Sequence, residues 1–420
     1  MRRRAFLIGA GSAGLSLALP VRAAGGSLGT IAFIQRDGLW IRSLPNGKPA
    51  RLVAATALAS PRFSPSGQWI AYLQAGVLHV VSADGASRIR LAVTPGARWF
   101  PSRDELLVAS TAGLQVFTPA NGWSKASRTI QHATLPVVFS PQGNEIVYGD
   151  AVGSVQRRTG RLCRLALDQP QSEPKVLISK DSGLFPCVWS GDGKQVLFWE
   201  DSDFSASLMA DGLELFSVPA DGGSPRSMGV SMLVHNDMLS LSPDGTRLAV
   251  TAGIGRYEWA QKRIAVIDLN TSALSLLTDD RTAAVCPSWS PGGDRIAFAA
   301  APSPATAATV GGGEPARRLL EERRIWITTV SGTSTPKQLT DDALYRDEEP
   351  MWSADATHIL FARIDRDSNQ TLWLMDAENP RPIQVAGPLY PADQPWFGYY
   401  GYIDWRAKLD WHCPAALQAE

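Results

Sequence analysis

The chain has 420 residues, 45% of them hydrophobic, and balances 40 basic against 40 acidic side chains. That balance gives no electrostatic footprint for a nucleic acid, and the length fits two or three ordinary domains or one large repeat assembly. The 37 glycines, 29 prolines and 14 tryptophans predict many short strands joined by tight turns.

The chain opens on MRRRAFLIGAGSAGLSLALPVRAAGG, which supports two readings. Gly9, Gly11 and Gly14 have the G-x-G-x-x-G spacing of a dinucleotide-binding loop. Such a loop needs a strand before it and a helix after it, yet only eight residues precede Gly9 and three of them are arginines. Arg3, Arg4, Phe6 and Leu7 instead begin an export address. A weakly apolar run to Val21 follows, and a small-residue cleavage site falls after Ala23. The pattern resembles the twin-arginine signals that export folded proteins, and the run is too short for a comfortable membrane span. Its removal takes four arginines and no acid, leaving 36 basic against 40 acidic side chains. Gly25 to Gly29 match G-x-S-x-G, but no strand precedes Ser27, so a nucleophile elbow is not expected there.

Beyond the address the chain repeats itself. FSPSGQWIAY from Phe63, FSPQGNEIVY from Phe139, WSGDGKQVLF from Trp189, LSPDGTRLAV from Leu241, WSPGGDRIAF from Trp289 and WSADATHILF from Trp352 are copies of one unit. A degenerate copy, FPSRDELLVA, begins at Phe100. Proline presets φ in the turn, Asp or Asn tolerates the bend and Gly accepts positive φ. The turn therefore joins an incoming strand that ends in a large side chain to an outgoing one. A third apolar segment (LHVVS, LELFSV, RIAVID, RIWITT), another turn and a fourth short strand complete each unit. Four antiparallel strands recurring at intervals of 37 to 63 residues predict the blades of an all-β propeller. The aromatic before each turn is expected to pack between neighbouring blades.

Before the first copy stand TIAFI, LWIRS and ARLV, three strands of a blade without its innermost one. YGYIDWRA, ending in Asp404, Trp405 and Arg406, is expected to supply the missing strand, which would close the ring and remove two exposed sheet edges. The count is then eight blades, or seven if the copy at Phe100 forms none. The expected organisation is a signal peptide over 1–23, one propeller over 24–410 and a tail over 411–420.

The units LTDDRTAAVCPSWSPGGDRIAFAA and LTDDALYRDEEPMWSADATHILFAR resemble the repeats of TolB-type, or WD-like, propellers, and prolyl-oligopeptidase enzymes carry related ones. The resemblance spans most of residues 28–406. It implies a β-propeller and says little about activity. Two departures stand out: TolB has an α/β domain ahead of its propeller, and the peptidases carry a hydrolase domain, whereas here the repeats start soon after the export address and no elbow serine follows a strand.

Strand order predicts that connections from strand two to three and from strand four to the next blade share one face. There the insertions gather: GDAVGSVQRRTGR, EDSDFSASLMADG, AGIGRYEWAQK and AAPSPATAATVGGGEPARRLLEER. Binding sites concentrate in loops on rigid scaffolds. Residues 301–315 read as a linker and RRLLEERR as one or two helical turns. On the same face lie His132, His235 with Asp237, Asp279 with Arg281, and Arg346, Asp347, Glu348 and Glu349. Converging acids and histidines could take a cation or a peptide's terminal amine, but a metal needs three or four ligands in fixed geometry, and a solvated rim is the plainer reading. Cys163, Cys187, Cys286 and Cys413 form no C-x-x-C and read as buried small hydrophobes rather than disulfides.

The function expected from these features is a non-enzymatic, exported, periplasmic module that needs no cofactor. It would bind a protein or peptide of the cell envelope, without nucleic acid and without lasting membrane insertion. The alternative is an exported lyase or hydrolase of polysaccharide or peptide with its site at the channel mouth. No catalytic residue is assigned.

Overall fold

The computed structural model describes residues 27–94, 96–154, 157–169, 171–202, 204, 212–303, 314–331, 335–391 and 400–413. The export segment, with Arg3, Arg4, Phe6, Leu7 and Ala23, lies outside the described residues, as does most of the linker expected at 301–315.

Eight four-stranded antiparallel sheets form the ring. Blade 1 uses Thr30–Gln35, Gly38–Ser43 and Ala50–Ala54 and receives its innermost strand, Leu409–His412, from the far end of the chain. Thr30 pairs with His412 and Phe33 with Leu409. Blades 2 to 8 have inner strands Leu58–Phe63, Ala97–Trp99, Val137–Phe139, Gly183–Trp189, Leu239–Leu241, Thr282–Trp289 and Tyr345–Trp352, each followed by three more strands in chain order. The degenerate copy at Phe100 is a full blade, so the count is eight.

The closing strand lies further along than expected. Asp404, Trp405 and Arg406 are not in it: Asp404 caps a 3-10 turn over Trp405–Ala407, its carboxylate accepting from the Ala407 amide at 3.0 Å. The strand then runs through Trp411 and His412, two residues past the boundary expected at 410.

The repeated turn has a partner set that explains its serine. In six blades this serine is buried, and its hydroxyl accepts from the amide five residues on, as in Ser242 from Arg247 at 2.9 Å and Ser353 from His358 at 2.9 Å. The serine carbonyl takes the amide three residues on, from Gly67, Gly143, Gly193, Gly245 and Gly293, and from Ala356 in blade 8. Those glycines sit at φ between 68° and 74°, and Ala356 is held at 58°, a conformation that costs any residue with a Cβ.

Apolar clusters fill the seams between blades, including one that joins Ile31 and Phe33 of blade 1 to Leu360 and Leu374 of blade 8. The aromatic before the turn packs at the seam as expected, and it also bonds across it. Indole nitrogens of Trp99, Trp189 and Trp352 donate to the carbonyls of Arg62, Val138 and Ser288 on the preceding blade, at 3.0, 3.4 and 3.0 Å.

RRLLEERR contributes to one helix, α1 (Glu314–Glu321), which buries Ala316 and Leu320 against Trp259 and Ala260. No described helix is long and apolar enough to cross a membrane. All four cysteines are unpaired; Cys163 and Cys187 are buried.

Candidate functional site

The inner strand of blade 8 reads Tyr-Arg-Asp-Glu-Glu-Pro and delivers Arg346, Glu348 and Glu349 to the channel end that the insertions cover. A bulge after Glu348, with Glu349 at φ 48°, breaks the alternation and lets adjacent acids face the same region. Three segments roof it: residues 253–262 of blade 6, α1 with Arg323 of blade 7, and residues 400–407 ahead of the closing strand.

Beneath this roof four charges are buried together. Arg323 donates to Glu258 at 3.0 Å and to Glu348 at 2.8 Å. Arg346 also bonds Glu348 and reaches the Gly401 carbonyl at 2.6 Å, and the Trp405 indole gives Glu348 a third donor at 3.0 Å. Two guanidiniums therefore face two carboxylates, and each charge is compensated, as burial requires. Burial still pushes the Glu258 carboxyl up to about 7, against the pull of Arg323. Lys262, also buried and lowered to about 8 by desolvation, ties the insertion down by donating to the Ile254 and Gly255 carbonyls at 2.9 Å each.

Beside this quartet lies a second group. The Tyr402 hydroxyl donates to Asp237 at 3.0 Å, and its ring stacks on His235 with centroids 3.7 Å apart. Arg406 approaches Glu349 at 3.7 Å. One oxygen each of Asp237 and Glu349 has no hydrogen-bond partner among the described residues. Burial raises Asp237 to about 6 and, with the nearby charge of Asp237 adding to it, Glu349 to about 8. Burial lowers His235 to about 4, so its imidazole is neutral at neutral pH.

Of the residues singled out from sequence, His235, Asp237, Arg346, Glu348 and Glu349 thus converge. Asp347 does not: it points into blade 8 and pairs with Arg363 at 2.7 Å. His132 is exposed at φ 63° between blades 3 and 4, so it is no partner of His235. Asp279 and Arg281 form an exposed pair at 2.7 Å. They edge a groove of about 620 Å³ between blades 6 and 7, whose apolar lining includes Leu276, Leu277, Phe298 and Trp326. Among the described residues no three His, Cys, Asp or Glu side chains are placed to hold one metal ion.

Sequence reasoning missed Glu258, Arg323, Tyr402 and Arg406, which join the site from distant segments.

No protein-family model matches the chain, and no curated protein does. Solved structures similar to it include TolB from Acinetobacter baumannii, 17% identical over 77% of this chain and 66% of that one, with a TM-score of 0.36. An oligogalacturonate lyase in complex with manganese is 13% identical over 83% of this chain and 97% of that one, with a TM-score of 0.50. A candidate dipeptidyl aminopeptidase IV from Bacteroides ovatus is 12% identical over 87% of this chain and 60% of that one, with a TM-score of 0.51. At these identities the likeness is one of fold.

Proposed function

We propose that the protein is a binding propeller of the cell envelope, exported through its first 23 residues, that holds an extended segment of a partner protein. The groove between blades 6 and 7 carries this reading. Its floor is apolar, Asp279 and Arg281 provide a charged edge, and none of the roofing segments supplies a lining residue. The strand beside it, Leu274–Leu276, is the outer edge of blade 6 and exposes both leucines. An exposed edge with unpaired backbone groups next to an apolar trough suits an added strand whose alternate side chains enter the trough. The channel mouth, by contrast, is occupied by the chain's own residues 400–407.

An exported lyase or hydrolase is the second reading. It rests on Asp237 and Glu349, two buried carboxyls with raised pKa of the kind enzymes use as acids. Crosslinking of the mature protein in cell envelopes separates the two. A partner captured by the native chain and lost from Leu276→Asp and Trp326→Ala, with unchanged melting, supports the groove. Turnover of an envelope polysaccharide or peptide that Asp237→Asn abolishes overturns it.

A further inference from the structure

A cavity of about 440 Å³ lies against the inner strands of blades 7, 8, 1 and 2, reaching from Pro291 in the turn of blade 7 to Trp405 in the roof. Its charged lining consists of two guanidiniums, Arg62 and Arg406, and two carboxylates, Glu349 and Asp410; most of the rest is apolar and includes four tryptophans. The fold does not require the acid at Glu349. Ser60 in blade 2 and Cys286 in blade 7 stand at the same point, three residues before the seam aromatic and within the same bulge, at φ 52° and 54° against 48° for Glu349. An uncharged side chain serves in both of those blades. The carboxyl of blade 8 is therefore an addition to the bulge, which aims it, and not a part of the backbone device.

Asp237 and Asp404 add their charge to that of Glu349 and Asp410 around the two arginines, so counter-charge is not what the cavity lacks. It lacks hydrogen bonds. Arg406 comes only to 3.7 Å from Glu349, beyond hydrogen-bond length, and its guanidinium makes no hydrogen bond among the described residues. One oxygen of Glu349, whose side chain is 7% exposed, is buried without a partner. Asp410 spends one oxygen on the Phe63 amide at 2.7 Å. Arg62 donates through Nη1 alone, to the carbonyls of Pro61, Arg406 and Leu409. The roofed quartet is different, for there Arg323 closes on both carboxylates within 3.0 Å. Polar groups left open inside a wall mark a place where a further partner fits.

We propose that this cavity binds a free α-amino acid with an apolar side chain, its ammonium seated on Glu349, its carboxylate on Arg406 and its side chain against the apolar wall. A zwitterion brings donors to the carboxylate and acceptors to the guanidinium without adding net charge. It carries both groups on one carbon, which suits an acid and a guanidinium that stand side by side without closing on each other. The volume falls at the lower end of the roughly 300 to 1,000 Å³ of small-ligand sites. The proposal is independent of the groove between blades 6 and 7 and of any turnover.

The test is titration calorimetry of the protein at pH 7 with L-leucine and, separately, with L-phenylalanine. Each is also titrated as its N-acetyl form, which lacks the ammonium, and as its amide, which lacks the carboxylate. At least one free amino acid is expected to bind with a Kd of about 1 mM or below, and both of its blocked forms at least tenfold more weakly. Glu349→Gln and Arg406→Gln are each expected to weaken that binding at least tenfold. Glutamine keeps the shape of Glu349, and the Arg406 side chain is half exposed, so both variants should fold, which thermal melting checks. Arg281→Ala, which removes an exposed arginine elsewhere, should bind as the native protein does. Absence of binding of both amino acids to the native chain overturns the proposal. So does a blocked form that binds as tightly as its parent, unchanged binding by folded Glu349→Gln or Arg406→Gln, or an equal loss in Arg281→Ala.

Discussion

Glu349→Gln isolates the energetic consequence of burying the Asp237–Glu349 pair. The carboxyl of Glu349 is raised from 4.5 to about 8 by burial and by Asp237. A folded-state pKa above the unfolded value means that the native protein holds a proton the unfolded chain has already released. Stability contributed by the neutral carboxyl is therefore present at low pH and is lost as pH climbs from the unfolded pKa to the folded one. His235 works in the opposite direction, because its folded pKa is lowered to about 4 and its cost is felt only below the ordinary histidine value of 6.5. Between pH 6.5 and about 8 the acids dominate, and Lys262, lowered to about 8, contributes equally to the native chain and to Glu349→Gln. Across that interval Glu349 spans about 1.5 units, or about 2 kcal/mol at 1.36 kcal/mol per unit. Asp237 and Glu258, raised to about 6 and about 7, add less in that window. Glutamine keeps the shape and cannot ionise. Urea unfolding at pH 6.5 and 8.5 should show the native chain losing about 2 kcal/mol more than Glu349→Gln over that interval. Parallel pH profiles for the two proteins, or a native chain that gains stability toward pH 8.5, would refute the reasoning.

Arg323→Leu should be among the most damaging single changes, at about 3 to 5 kcal/mol, because Glu258 and Glu348 would lose their shared guanidinium while staying buried; thermal or urea unfolding at neutral pH measures it, and adding Glu258→Gln should recover part of the loss. Ala356→Gly should stabilise blade 8 by about 1 kcal/mol, since it relieves a Cβ at φ 58° where five other copies use glycine. Unchanged or lowered melting in Ala356→Gly would show that the turn bears no strain.

Most of the ring was legible because each blade repeats local rules: a proline-glycine turn, alternating apolar strands and a large residue at the seam. Closure was legible as a need and misplaced by a few residues, because Asp404-Trp405-Arg406 looks extended in sequence while the Asp404 side chain folds it into a capped turn. The site was legible only in pieces. Asp237 and Glu349 stood out as acids on the insertion-rich face, but nothing local announces that Tyr402 bonds Asp237 across 165 positions or that Arg323 joins Glu258 to Glu348. Asp347 follows simple alternation and faces away from Arg346 and Glu348, whereas the bulge after Glu348, which no local signal announces, returns Glu349 to their side.

The pairing of Thr30–Phe33 with Leu409–His412 bears on how the molecule is made. A ribosome makes Thr30–Phe33 long before Leu409–His412, so the opening module must wait, one strand short, until that distant segment emerges. During that wait its bare backbone can recruit a neighbour's strand. Cells that make this chain thus have reason to shield the unfinished first module, and truncation before Leu409 would remove no strand of the other seven while leaving that module's inner edge bare for a second copy to pair with.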